Sequence, residues 1–367
     1  MTTLFKKYTH PNTPVVLFVL TAYHALYILL AYTLRIQRGH SDAQGYWGLL
    51  KHFDQSWLDY LKPGTHFIYF LNYWPVHWGW PFWSGFLLYG LIGLIGLLIF
   101  YRWAHQVIPD TWFWKPHAMM AVFLWPNLHV WTAALGKEPL VFLALAILFS
   151  RLSGVLKSNW LTSVAAVLLI MIRPHVALFL LLAGVPMYLL FAKTSLKTKL
   201  FTTTAILLLG SGLLYAVLQL TKIKRLDWER IQRFNNFSLK SFSDSGSYVP
   251  MDTYNILERL FAFFFRPLPF EAKNLLQLAA AAENTLYLVL HLVLIVLLIK
   301  NRNTICFKKI PSWVYFTGLF MLICGAFYIF RYANFGIFMR TKIIYAPFWI
   351  IAMLFLMSIN QRIQKIE

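Results

Sequence analysis

The sequence predicts an all-α polytopic membrane protein, one transmembrane domain over 1–367 with about ten transmembrane helices. Three observations predict it. Hydrophobic residues make up 59% of the 367 and charged residues 13%, whereas soluble domains run nearer half apolar and a quarter charged. Mean hydropathy is +0.60. Runs such as 84–101 and 275–299 hold at most one formal charge each, and at about 1.5 Å per residue they can cross about 30 Å of hydrocarbon. This composition excludes an ordinary soluble enzyme and a disordered chain. The formal net charge of +20 would suit a nucleic-acid binder. That class leaves the apolar runs unexplained, so membrane lipid is the expected partner and nucleic acid is not.

The apolar runs place spans at approximately 14–34, 83–101, 117–134, 139–156, 160–172, 175–191, 200–220, 275–299, 313–330 and 343–358. The first follows Lys6 and Lys7, as a signal peptide would, but the run is long and no A-x-A-like site follows it, so it reads as a retained span. Pro75 and Pro81 separate the second span from the apolar stretch 65–76, which reads as a re-entrant or interfacial piece. Lys137-Glu138-Pro139 opens the fourth, with a proline and an acid at a helix start. The fifth is short for a crossing and can extend back through Lys157, whose long stem can snorkel. It joins the sixth at Arg173-Pro174-His175 with almost no loop. Glu283 lies about two turns inside the eighth and is the most deeply placed acid. Such a group calls for a partner, for which one of the outer arginines is the candidate, or else is protonated. Of the two cysteines, Cys306 lies in a lysine-rich segment and Cys324 inside an apolar run. They imply no disulfide framework and no metal site.

Orientation follows from Lys and Arg in short loops. With the N-terminus inside, 15 of the 33 cations and two of the 13 acids face inward, giving about +13 inside and +7 outside. Both termini are then cytoplasmic. The inner loops show no P-loop and no G-x-G-x-x-G pattern, so no nucleotide cofactor is expected. A divalent cation stays open, although no ligand cluster demands one.

Two outer loops are substantial. The first extracytoplasmic loop covers 35–82. Ser41 and Gln44 form a capping box, and Tyr46, Leu50, Phe53, Trp57 and Leu61 then follow at helical spacing up to Pro63-Gly64. That predicts an amphipathic helix lying on the membrane surface. Asp42, in its first turn, reads either as an acid favourable to the helix dipole or as a general base at the membrane–water boundary. His40 and His66 are weaker candidates. Fourteen aromatics between 46 and 83 fit an interfacial belt or a sugar-stacking surface. The second extracytoplasmic loop, 221–274, holds the cations Lys222, Lys224, Arg225, Arg230 and Arg233 beside Asp227 and Glu229, which read as a solvated, salt-bridged face. An amphipathic segment follows over 252–265, and Arg266 to Glu271 lead into the eighth span.

Outer cations in short loops run against the positive-inside rule. Arg173, Arg331 and Arg340 do so, and Lys137, His175 and Lys342 also stand at these tight turns. An anionic ligand at the outer leaflet would offset that, and arginine grips phosphate oxygens in a planar fork.

The stretches SDAQGYW at 41–47, PGTHFIYFL at 63–71, PNLHVWTAALGKEP at 126–139, RPH at 173–175, FRPLPFEAKN at 265–274 and NFGIFMRTK at 334–342 together resemble integral-membrane glycosyltransferases of the GT-C type and the EpsG- or O-antigen-polymerase-like proteins of bacterial polysaccharide assembly. The resemblance implies a GT-C-like fold in a bacterial cytoplasmic (inner) membrane. It also implies a polyprenyl-phosphate- or diphosphate-linked sugar donor, an acceptor glycan, polysaccharide-assembly partners, and chemistry at the extracytoplasmic face. Its acid in the first outer loop falls on Asp42 by position, without the acidic pairing or D-x-D-like pattern usual there. Polymerase-like relatives lean on arginines, which points to Arg173 and Arg340.

The expected function is a glycosyltransferase of the hexosyltransferase class or a polysaccharide polymerase. Asp42 and Glu283 are the catalytic candidates. Lys137, Arg173, His175, Arg331, Arg340 and Lys342 are the phosphate-binding candidates. Tyr46, Trp47, Arg266 and Glu271 are the candidates for glycan or lipid contact. A lipid-linked saccharide flippase or exporter, and a non-catalytic subunit of a polysaccharide synthase, are the rival readings.

Overall fold

A computed structural model describes residues 13–37, 41–49, 53–221, 227–303 and 307–363. Lys6, Lys7, His40, Leu50, Lys222, Lys224, Arg225, Cys306 and Lys365 lie outside the described residues. Among those described the chain is helical, and its only β feature is an antiparallel bridge between Tyr248 and Asn334.

The helices in chain order are α1 (Thr13–Gln37), α2 (Asp42–Tyr46), α3 (Thr65–His77), α4 (Phe82–Val107), α5 (Lys115–Phe123), α6 (Pro126–Thr132), α7 (Lys137–Leu152), α8 (Asn159–Ile172), α9 (Pro174–Phe191), α10 (Leu196–Thr221), α11 (Trp228–Lys240), α12 (Ile256–Phe265), α13 (Leu275–Lys300), α14 (Ser312–Tyr328) and α15 (Phe335–Ile363). Six of them, α1, α4, α9, α10, α13 and α15, are long and apolar enough to cross a membrane, and the α6–α7 pair, bent by 112°, makes a seventh if it counts as one span. The predicted spans at 160–172 and 313–330 correspond to α8 and α14, which are apolar but shorter, 14 and 17 residues.

The predicted span at 117–134 is not one helix. It breaks into α5 and α6 at Trp125–Pro126, where Trp125 is extended (φ −63°, ψ 113°). The cause is local: proline has no N–H to give to the preceding turn, and its ring pushes the residue before it out of helical geometry. The amphipathic helix expected to run from 42 to 61 is also not formed among the described residues. Helix α2 stops at Tyr46, the chain turns at Gly48 with φ 77°, and a single 3₁₀ turn stands at Trp57–Tyr60. A glycine at positive φ ends a helix at little cost, and here the turn carries Tyr46 and Trp47 inward. The stretch 65–76 forms α3, whose first residues are tied to the end of α8 by the Gly64 N–H donating to the Met171 carbonyl at 2.7 Å.

Helix α15 is the central element, with 72% of its apolar window buried, against 17% for α1 and 6% for α10. It is packed by α13, α14, α6 and α7, while α4 lies along α7 and α1 along α4. Phe100, Phe142, Phe149 and Phe348 meet where α4, α7 and α15 converge, with Phe149 stacked on Phe348 at 4.2 Å between ring centroids.

The closeness of α4 to α6 rests on Gly93. A Cβ there would lie 1.9 Å from the Thr132 carbonyl oxygen, which is backbone and cannot rotate away. Gly93→Ala is expected to destabilise the protein by about 3 kcal/mol or more, at the upper end of overpacking costs. Gly212→Ala on α10, where nothing lies within 4 Å, is expected to be neutral or slightly stabilising. Thermal unfolding of both in detergent checks the contrast. Equal midpoints would show that α4 and α6 do not approach this closely.

Candidate functional site

Four charged side chains from four parts of the chain meet at helix ends. Glu138 stands in the first turn of α7, just after Gly136, where a Cβ would crowd the Tyr46 ring at 3.3 Å and the Glu138 carboxylate at 3.4 Å. Arg173 caps the junction between α8 and α9. Its N–H donates to the Leu169 carbonyl at 2.8 Å, and its own carbonyl accepts from the Val176 N–H at 2.9 Å. Arg340 lies in the second turn of α15. The start of that helix is held by the second outer loop: Val249 N–H donates to the Ala333 carbonyl, Phe335 N–H to the Ser247 carbonyl, and Asn334 Nδ2 to Ser245 Oγ. Asp42 is the first residue of α2, whose start is fastened by the Ser41 N–H donating to Gln44 Oε1 at 2.7 Å.

Glu138 is the hub. Arg340 Nε donates to its Oε1 at 2.6 Å and Arg340 Nη2 to its Oε2 at 3.1 Å, a bidentate fork. Arg173 Nη2 donates to the same Oε1. Arg340 then reaches outward with Nη1 to Asp42 Oδ2 at 2.9 Å. Exposure rises along this chain: the side chains of Glu138 and Arg173 are 4% and 10% accessible, Arg340 22% and Asp42 63%. Arg173 Nε is buried with no hydrogen-bond partner among the described residues. Lys137 stands next to Glu138 and donates to Thr65 Oγ1 of α3 at 2.8 Å. Tyr46 packs against the cluster, and burial, then the negative charges of Asp42 and Glu138, push its hydroxyl well above the usual phenol range.

The guanidinium of Arg340 also lies over the indole of Trp131, 5.6 Å from its centroid, and Arg35 of α1 lies 6.0 Å from the same ring. Trp131 and Arg35 line a cavity of about 430 Å³ between α1, α6, α13 and the start of α15. Its walls are mainly apolar, with Glu283, Asn127 and Gln277 among the polar groups. The ion-pair cluster and the cavity therefore share one tryptophan.

The other expected site residues lie elsewhere. Lys342 sits two residues from Arg340, so it points to another face of α15. It donates to Asn284 Oδ1 and lies over Tyr287, 5.6 Å from the centroid. Arg331 donates to Ser238 Oγ and stacks on Phe234 of α11 at 4.8 Å. His175 meets the Tyr328 hydroxyl at 3.2 Å. Glu283 does not pair with an arginine, as the sequence led us to expect. The break at Pro126 frees the Asn127 N–H, which donates to Glu283 Oε1 at 2.8 Å, and Trp125 Nε1 donates to Oε2. Arg266 and Glu271 bind each other, and Glu271 also accepts the Leu268 N–H at 2.8 Å, so the pair clasps its own turn. Tyr46 and Trp47 are buried, 6% and 3% exposed, and do not face outward. Trp47 Nε1 donates to the Trp80 carbonyl, and Asn72 Nδ2 to the Tyr46 carbonyl, so both residues hold α2 down. His66 stacks near Tyr60 at 6.4 Å.

Glu138 was the residue most under-read in the sequence, where it passes for an ordinary helix-start acid. The available signal was an acid and a lysine in a tight turn between two apolar runs. Among the described residues no three His, Cys, Asp or Glu side chains converge as a metal site. Both carboxylates of the cluster are occupied by Arg340. Chemically, the cluster offers one accessible carboxylate and two cations fixed by a buried acid, with Lys137 beside them.

No protein-family model, curated protein or solved structure matches the chain.

Proposed function

We propose that the chain is a membrane glycosyltransferase or polysaccharide polymerase, GT-C-like, that draws sugar from a polyprenyl-phosphate- or diphosphate-linked donor at the extracytoplasmic face. In this reading it crosses a bacterial cytoplasmic membrane about ten times, with α8, α14 and the broken α5–α6 segment as shorter crossings and both termini in the cytoplasm. The single observation that carries the reading is Arg340. It joins the accessible Asp42 to the buried Glu138 and lies on Trp131 at the edge of an apolar cavity. An accessible carboxylate, a preorganised cation and a mainly apolar cavity then stand together.

The reaction needs little else. Asp42 takes or orients the proton of the acceptor hydroxyl. The acceptor oxygen bonds to the anomeric carbon as the carbon–oxygen bond to the lipid phosphate breaks, and the phosphate leaves with the electron pair. Arg340, Arg173 and Lys137 stabilise that leaving charge, and Glu138 keeps the two guanidiniums aimed before the charge appears. The acceptor glycan comes from the aqueous side, where Asp42 is exposed.

The test is Asp42→Asn. Its side chain is mostly exposed and its ion pair is of the surface kind, so unfolding should shift by less than about 1 kcal/mol. Turnover of a polyprenyl-linked oligosaccharide should fall by about 10²–10⁴-fold. Wild-type turnover by folded Asp42→Asn would remove Asp42 from the chemistry.

A second reading, a lipid-linked saccharide flippase, draws on ionisable groups buried along the spans, namely Glu283, Lys342 and the His24–His129 pair. Intramembrane ionisable residues mark transport paths as readily as catalytic sites. Movement of a labelled lipid-linked sugar across proteoliposomes without bond cleavage would favour it.

A further inference from the structure

Two histidines bury their rings against each other inside the bundle. His24 of α1 and His129 of α6 are both fully buried, and their Nδ1 atoms lie 3.0 Å apart. The other nitrogen of each ring meets a main-chain carbonyl: His24 Nε2 lies 3.0 Å from the Gly90 oxygen of α4, and His129 Nε2 lies 2.7 Å from the Phe123 oxygen of α5. A carbonyl oxygen only accepts, so each Nε2 carries a proton. A neutral imidazole has one N–H. Two neutral rings in this pose would point two bare Nδ1 lone pairs at each other across hydrogen-bond distance. The contacts are all satisfied only when a third proton lies between the two Nδ1 atoms.

We propose that His24 and His129 form a proton-binding site, an imidazole–imidazolium pair whose shared proton clamps α1 to α6 beside the cavity.

Tyrosine rings, main-chain carbonyls and, further off, one carboxylate stand around the pair. From α1, Tyr23 and Tyr27 pack on the His129 ring with centroids at 4.8 and 5.5 Å, and their hydroxyls lie 3.1 Å apart. Tyr23 also donates to the Leu124 carbonyl at 3.1 Å. From α13, Glu283 is the carboxylate on this side, close enough to Tyr27 for their charges to interact. Helices α4 and α5 meet the pair with the Gly90 and Phe123 carbonyls, which favour N–H donors and hence the protonated form. The charge-assisted hydrogen bond between the rings is of the strong class.

The pair lies between two walls of the cavity. Helix α1 is the N-terminal side of the cavity, contributing Tyr27, Leu34 and Arg35, and α6 supplies Asn127 and Trp131 from the facing wall. Loss of the shared proton leaves two acceptors in contact at a buried site, which is costly, and separation of α1 from α6 relieves it. The sign is fixed: the clamp is closed with the proton bound, at lower pH, and is released as pH rises through the deprotonation of the pair. This goes beyond the transferase reading and does not rest on it.

The experiment uses the full chain in lipid nanodiscs with ¹⁵N-labelled histidine. At low pH the wild type should show two Nδ1 signals coupled through one proton. Both should convert together to neutral tautomers as pH rises, and the coupling should be missing from His24→Gln and, as a second variant, from His129→Gln. In a Cys306→Ser background, spin labels at Leu29→Cys of α1 and Leu286→Cys of α13, both lipid-exposed positions, should move apart over the same pH range, with no such change once His24→Gln is added. Two independent neutral rings at every pH would overturn the proton site. A label distance that stays fixed while the shared proton leaves would overturn the clamp. Neither readout involves sugar transfer, so failure here is separable from failure of the transferase reading.

Discussion

Glu138→Gln is expected to cost about 3–5 kcal/mol of stability, the scale for removing one partner from a buried charge cluster. The reason is the imbalance it leaves. Glu138 accepts from both Arg173 and Arg340 and is 4% exposed. Glutamine has nearly the same shape, so packing is kept, but it turns an NH₂ toward guanidiniums that need acceptors. Arg173, itself 10% exposed, would then be a buried cation without a counter-charge. Unfolding in detergent against the wild type measures the loss. Replacing the group as a unit, as in Glu138→Leu with Arg173→Met and Arg340→Met, should recover much of the stability, because buried ion networks exchange for apolar packing at small net cost. That triple variant should still be inactive. A Glu138→Gln protein that unfolds at the wild-type midpoint would mean that the cluster is not charge-compensated in this way.

Under the proposed transferase function, Arg340→Lys should lower turnover of a lipid-linked sugar by about 10²–10³-fold, the usual loss on removing one preorganised donor to a developing charge. The charge is conserved in this variant, so the loss isolates geometry. Arg340 uses Nε and Nη2 on Glu138 and Nη1 on Asp42, and a single ammonium cannot hold both carboxylates in those directions. Stability should fall less than in Glu138→Gln, since Glu138 keeps Arg173. Combining Arg340→Lys with Asp42→Asn should cost little more than the worse single change, because residues that act as a unit are strongly non-additive. Fully additive losses would separate Asp42 from Arg340 in function, and a fully active Arg340→Lys variant would remove the fork from the proposed mechanism.

Much of the fold was legible one residue at a time. The apolar runs that became α1, α4, α9, α10, α13 and α15 are stated by composition and length, because hydrocarbon admits a backbone only when its hydrogen bonds are closed within the segment. The failures came where a run was apolar but its interior was not regular. At 117–134 hydropathy sees one span, and Pro126 makes two helices of it. At 42–61 the periodicity sees one helix, and Gly48 at φ 77° ends it after Tyr46. In both cases one residue's backbone constraint overrode a pattern summed over many.

The candidate site divides in the same manner. The sequence by itself determined that this is a membrane protein, that Arg173 and Arg340 stand at the ends of apolar runs and Asp42 in the loop after the first, and that such charges need partners there. It could not say which partners. Arg173, Arg340 and Asp42 are joined through contacts 35, 202 and 298 residues apart in sequence, and no periodicity reaches that far. The same holds for Lys342, two residues from Arg340 but turned toward Asn284, and for Glu283, held by the Trp125 indole and by the Asn127 N–H that the Pro126 break releases. Only the tertiary structure decided these pairings. Burial near hydrocarbon makes every charge seek a counter-charge or a donor, while helix packing sets which one comes within 3 Å.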